Sequence, residues 1–132
     1  MADTLEQALY EHTTEITTVT TIVGTRIYWG QGPEEVTFPY VVVVLAGGPK
    51  EAYTQGSRNS GLTRVEWNCV SHDRWQAHTL ARYVRDDLYE YRGVLKGVMI
   101  EETRMVDLSM IPGLNPDVYG YRTEAQFRWT IA

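Results

Sequence analysis

From Tyr119 to Ile131 the chain alternates without a break: Tyr119, Tyr121, Thr123, Ala125, Phe127, Trp129 and Ile131 interleave with Gly120, Arg122, Glu124, Gln126, Arg128 and Thr130. Successive strand side chains point to opposite faces, so this pattern predicts a long strand with an aromatic face toward a core and a charged face toward water or a polar partner. A second strand of the same kind runs from Leu62 to about Val70, with Thr63, Val65, Trp67 and Cys69 on one face and Arg64, Glu66 and Asn68 on the other. Phe38 to Ala46 differs, being apolar on both faces. It reads either as a central strand covered on both sides or as a strand whose second face another subunit covers. Arg26 to Trp29 is a short extended piece, and Val98 to Met105 a further strand.

Helical spacing occurs twice. Asp3 or Thr4 can cap a helix in which Leu5, Ala8, Leu9, His12 and Ile16 recur every three or four residues. Asp73, with Gln76 three residues on, caps a helix to about Tyr91 that is buried through Ala77, Leu80, Ala81, Val84 and Leu88, and Gly93 suits its end. Between Thr13 and Thr25 stand seven threonines with Ile16, Val19, Ile22 and Val23. β-Branched side chains lose rotamer freedom in a helix, so local propensity alone allows a strand here. The resulting order is α-β-β-β-α-β-β. The expected fold is α+β: a mainly antiparallel sheet with two helices packed on one face.

The 132 residues, 43% of them hydrophobic, suit one domain spanning 1–132 with one proper core. Twelve basic residues against 17 acidic ones give a net charge of −5, the wrong sign for a protein that grips phosphates. Cys69 is the one cysteine, so no internal disulfide forms, and among Val65, Trp67 and Val70 it reads as a small buried hydrophobe. The chain shows no signal-peptide pattern and no apolar run near the ~20 residues of a membrane span. It is expected to be soluble and made in a cytoplasm.

Two connections are longer than a compact domain needs. Gly47 to Ser60 is Gly-rich and polar, and reads either as an arm that orders on a partner, with Tyr53 and Arg58 as its large candidate contact residues, or as a floppy hairpin. Val106 to Asp117 carries Leu108, Met110, Ile111 and Leu114 among Pro112, Gly113, Asn115 and Pro116. So many apolar groups on a loop would be poorly hidden in a monomer, which makes these four candidates for a protein interface, the other reading being a loop tucked over the core.

The sequence carries no catalytic or cofactor-binding pattern. His72 and His78 are six residues apart, unlike the i, i+4 pair of a zinc helix. The pairs Glu34-Glu35, Asp86-Asp87 and Glu101-Glu102 diverge on a helix or strand and do not converge as acid and base would. Gly47-Gly48-Pro49-Lys50 lacks the Gly-Lys-Ser/Thr ending of a nucleotide loop. Arg74, His78, Arg82 and Arg85 form a charged stripe on the second helix, read first as a solvated face and second as a protein contact.

The order of features is similar to a known family. An N-terminal helix with Leu5, Leu9 and Tyr10 is followed by Ile22-Val23-Gly24-Thr25-Arg26-Ile27-Tyr28, then by Phe38-Pro39-Tyr40-Val41-Val42 opening a strand. A strand ending near Trp67-Asn68-Cys69, a helix, Gly97-Val98-Met99-Ile100 and the closing Tyr-rich strand complete the pattern. Together these resemble the tail completion, or tail terminator, proteins of long-tailed bacteriophages over nearly the whole chain. The sequence departs from that pattern at Thr13 to Thr21, where relatives carry a more Ala- and Leu-rich stretch, and at Trp29-Gly30-Gln31-Gly32, where a proline is commoner.

The resemblance implies a non-enzymatic virion protein of the tail and neck, without cofactors. It would assemble as a homo-oligomeric ring, most often six-fold, on the head-proximal end of the tail tube. There it would stop tube growth and offer a docking surface for the head connector or stopper, while DNA passes through without sequence-specific binding. An acidic surface would suit such a lumen. Another neck component, a connector or stopper ring, is the neighbouring reading. A small-molecule binding domain or enzyme would instead need convergent polar groups in a pocket, and a DNA-binding module would need duplex retention despite the acidic charge.

Overall fold

The computed structural model describes residues 4–46, 60–112 and 114–131. Three helices and six strands follow one another: α1 (Leu5–Thr13), α2 (Thr17–Val23), β1 (Ile27–Trp29), β2 (Tyr40–Leu45), β3 (Ser60–Ser71), α3 (Arg74–Leu88), β4 (Gly93–Leu95), β5 (Val98–Met110) and β6 (Tyr119–Ile131). The strands make one sheet in the order β1-β2-β3-β6-β5-β4, parallel between β1 and β2 and antiparallel elsewhere. The fold is therefore α+β, as the periodicities predict.

Both expected helix starts are built as local chemistry dictates. Thr4 Oγ1 accepts from the Gln7 amide at 3.2 Å, and Asp73 Oδ1 accepts from the amides of Trp75 and Gln76 at 2.9 and 3.3 Å. Ser71 extends the second cap: its hydroxyl donates to Gln76 Oε1 at 2.7 Å and accepts from the Asp73 amide at 3.0 Å. Orphan N–H groups of the first turn are thereby satisfied. The helix ends at Leu88, three residues before Tyr91, and the chain after it forms the short edge strand β4, which sequence periodicity does not announce.

The Thr-rich stretch adds a helix to the expected two, against the local preference of its residues. Ile16, Val19 and Val23 lie at helical spacing and are buried in the core cluster, while Thr21 Oγ1 donates back to Thr17 O at 2.7 Å. Tertiary burial of that apolar stripe, at roughly 1.5–3 kcal/mol per large side chain, outweighs propensity differences of a few tenths of a kcal/mol per residue. Gly24, at φ 61, ends the helix in a conformation an L-residue rarely adopts.

The helices pack on one face of the sheet. Val41 and Val43 of β2, Val65, Trp67 and Cys69 of β3, Ala125, Phe127 and Trp129 of β6, and Val98 and Ile100 of β5 meet Leu5, Leu9, Val19, Leu80 and Val84 in a continuous core. The buried tryptophan and threonine tips inside it are engaged. Trp67 Nε1 donates to Thr13 Oγ1 and Trp129 Nε1 to Thr63 Oγ1, each at 3.0 Å, and Thr123 Oγ1 donates to Ala81 O at 2.6 Å. Thr13 in turn donates to Leu9 O at 2.6 Å, so one hydroxyl ties α1 to the centre of the sheet.

The doubly apolar strand β2 is covered on its second face by its own chain. Tyr28 and Tyr40 lie on the same side as Val42, with ring centroids 6.2 Å apart, and Phe38 packs against Tyr40 at 5.4 Å and His72 at 4.2 Å. Val36, Tyr28 and Tyr40 all crowd Gly32, where an added Cβ would come within 3.3–3.8 Å of them. Val42, paired with Tyr28 of β1, is left 9% exposed. Of the two sequence readings, coverage within the subunit is the one realised for Val42.

Candidate functional site

Strands β5 and β6 are the longest elements of the sheet, and their common tip holds the sequence-predicted contact residues. β5 runs to Met110, so Leu108 and Met110 belong to a strand and not to the expected loop. The reason lies in two bulges, at Ile100/Glu102 and Met105/Asp107, which shift the register and hide the alternation from a sequence reading. Leu108 pairs with Thr123 and Met110 with Tyr121, on the helix-bearing side. Leu108 is half-buried against the core, whereas Met110 is 52% exposed.

Ile111 and Leu114 turn to the opposite side and meet over Gly120. A Cβ at Gly120 would stand 2.8 Å from Leu114 Cδ1 and 3.0 Å from Ile111 Cδ1. A side chain there would have to push the Leu114 and Ile111 ends aside. Leu114 remains 40% exposed even so. The four apolar residues therefore form two patches back to back across the tip, Met110 with Leu108 on one side and Ile111 with Leu114 on the other. Tyr53 and Arg58 lie outside the described residues.

The face of the sheet away from the helices is a field of charge. Cross-strand registers place Glu66 beside Glu124 and Glu124 beside Asp107, an unfavourable row of carboxylates. Arg64 approaches Glu124 at 3.5 Å and Arg122 approaches Glu66 at 3.6 Å, so diagonal pairs offset the repulsion. Arg104 and Arg128 with Glu102 complete the face, four arginines against four carboxylates on paired positions of β3, β5 and β6. The acidic surplus of the chain lies elsewhere.

One group of residues was only half visible in the sequence. At the start of α3, Arg74 lies over the Trp75 ring, 5.4 Å from its centroid, and its Nε donates to Tyr121 Oη at 3.3 Å. The His78 ring packs edge-on against both Tyr121 at 5.0 Å and Trp75 at 6.3 Å. Trp75 is nonetheless 68% exposed, and neighbouring Tyr119 36%. The stripe of Arg74, His78 and Arg82 at i, i+4 and i+8 was the available signal; Trp75 gave none, because an aromatic at a helix start usually reads as core.

Chemistry-bearing arrangements do not form among the described residues. No group of three or more His, Cys, Asp or Glu side chains there is placed to hold a metal. Cys69 is fully buried, and desolvation pushes its thiol pKa up, away from the thiolate a nucleophile needs. A cleft of about 650 Å³ is lined by Glu90, Arg92, Glu102, Thr103 and Arg104, without the apolar walls that hold a small molecule. A second, of about 470 Å³, lies between α2 and α3 and is lined by Glu15, Ile16, Thr17, Thr18, Tyr83, Asp86 and Asp87. No described helix is long and apolar enough to cross a membrane.

The family model described as tail completion protein gp17 matches residues 7–132. The chain belongs to that family. As a tail completion protein it is a structural component of a phage-type virion tail and not an enzyme, which agrees with the sequence resemblance. No curated protein sequence matches it. Among solved structures, a chain from the virion of a native gene transfer agent particle is similar in fold, with a TM-score of 0.74 and 17% identity, covering 96% of this tail completion protein and 95% of that chain.

Proposed function

We propose that this tail completion protein acts as one unit from residue 1 to 132 and forms a ring of copies, six by family resemblance, on the head-proximal end of the tail tube. The ring ends tube polymerisation and presents a docking surface to the head connector or stopper. The observation that carries this reading is the β5–β6 tip, where Met110 and Leu114 stand exposed on opposite sides of the two longest strands. Exposed apolar side chains at the end of a rigid hairpin are suited to insertion between neighbouring proteins. The shared fold of a chain that belongs to a gene transfer agent virion supports a place in such a particle.

DNA passes the ring without being read. The balanced charges on the open sheet face offer no basic stripe to hold a phosphate backbone. Tyr53 and Arg58 are further candidate contacts on sequence grounds.

The test is electron microscopy of the purified protein mixed with tail tubes from the same genome. Rings on one tube end are expected. Met110→Asp with Leu114→Asp should abolish capping with the fold intact, since both side chains are exposed. Binding to the connector alone, with tubes left uncapped, would move the protein to the head side of the neck, and undiminished capping by the double variant would remove the tip from the contact.

A further inference from the structure

We propose that neighbouring copies meet head to tail through α3: the Arg74 and Trp75 surface at the start of this helix docks into the cleft of the next copy between α2 and the end of α3. This deepens the ring reading and rests on it. A ring needs a heterologous contact, in which two different patches of one chain fit each other. The two patches here do not overlap: Arg74 and Asp86 are twelve residues apart on one helix, roughly 18 Å at 1.5 Å per residue.

The first patch has the make-up of an interface centre. Trp, Arg and Tyr dominate binding energy where proteins meet, and here an exposed tryptophan is held in place by Arg74 and His78, themselves braced on Tyr121. Prior ordering of these side chains lowers the entropy lost on docking. Arg74 is not within ion-pair distance of a carboxylate among the described residues. Met110, paired to Tyr121 and half exposed, extends the patch toward the tip.

The second patch complements it. The cleft of about 470 Å³ has Ile16 and Tyr83 for an aromatic ring to pack against, with Glu15, Asp86 and Asp87 around it for a guanidinium. These carboxylates already have one neighbour each: Asp86 meets Arg85 at 3.2 Å, Asp87 meets His12 at 2.5 Å, and Glu15 meets Lys96. Asp86 and Glu15 are 60% and 58% exposed, so these pairs are weak and both oxygens remain free to accept more.

The experiment is capping of tail tubes, scored by electron microscopy, with charge-reversed variants. Arg74→Glu and Asp86→Arg should each weaken lateral association about 30-fold or more, and the chain carrying both should recover it, because each reversed charge then meets a reversed partner. Thermal melts check that every variant folds. In rings assembled on tubes, Trp75→Cys combined with Thr18→Cys should give disulfide-linked oligomers. Rings that form normally with either single variant, a double variant no better than the singles, or rings without cross-links would overturn the contact while leaving the ring reading intact. Absence of rings with the unaltered protein would overturn both.

Discussion

Replacing Thr13 by valine isolates one hydroxyl on which the joint between α1 and the sheet depends. Valine keeps the shape, so the change is chemical. Thr13 Oγ1 accepts from Trp67 Nε1 at 3.0 Å and donates to Leu9 O at 2.6 Å, with both Thr13 and Trp67 fully buried. Removing it leaves the indole N–H without a partner in the core, and an orphaned buried donor costs about 1–3 kcal/mol. Thr123→Val is the control. Thr123 Oγ1 only donates, at 2.6 Å, to Ala81 O. That carbonyl lies inside α3, where helix geometry supplies it another donor, so the loss is about 1 kcal/mol. With a urea m-value of about 1.5 kcal/mol/M, Thr13→Val at ~2 kcal/mol lowers the midpoint by about 1.3 M and Thr123→Val by about 0.7 M. Equilibrium urea unfolding followed by tryptophan fluorescence and circular dichroism measures both. A third variant, Trp67→Phe in the Thr13→Val background, removes the orphan, so its added cost should be about 1–2 kcal/mol smaller than that of Trp67→Phe alone. Equal midpoints for the two threonine variants, or no coupling in the cycle, would refute the reasoning.

Three other outcomes are expected. Asp73→Ala removes the acceptor of two first-turn amides, which should destabilise the protein by about 1 kcal/mol in the same unfolding assay; a change below 0.3 kcal/mol, roughly the error of the method, would mean that Ser71 suffices as a cap. Gly120→Ala places a methyl group 2.8 Å from Leu114 Cδ1, and should lower the melting temperature by a few degrees, corresponding to about 1 kcal/mol of overpacking; adding Leu114→Ala should recover most of the loss, and failure to do so would argue against that contact. The Cys69 thiol has its pKa raised by burial from an ordinary value of 9.0, so the folded chain stays protonated where the unfolded chain ionises. Its contribution is complete below pH 9 and declines above it, by up to about 1.4 kcal/mol per pH unit; wild type should therefore lose stability faster than Cys69→Ala between pH 9 and 10.5, and parallel curves would contradict the burial argument.

What the sequence determined by itself is what short-range physics controls. The starts of α1 and α3 were readable because Thr4 and Asp73 satisfy amides within three residues, and the faces of β3 and β6 because alternation survives wherever a strand is central and regular. The exposed apolar character of Met110 and Leu114 also followed from their place near Pro112 and Asn115. The tertiary structure alone decided the rest. The run of β-branched residues became α2 because Val19 and Val23 gain burial that a local reading cannot count, and β4 forms only because β5 offers it an edge. Two bulges concealed the length of β5, and Val42 lies beside Tyr28, its partner on the parallel strand β1. The gathering of Arg74 and His78 around Tyr121, more than 40 residues away, is set by the packing of α3 on β6. Contacts between residues distant in sequence depend on how whole elements pack, and no local pattern encodes that arrangement.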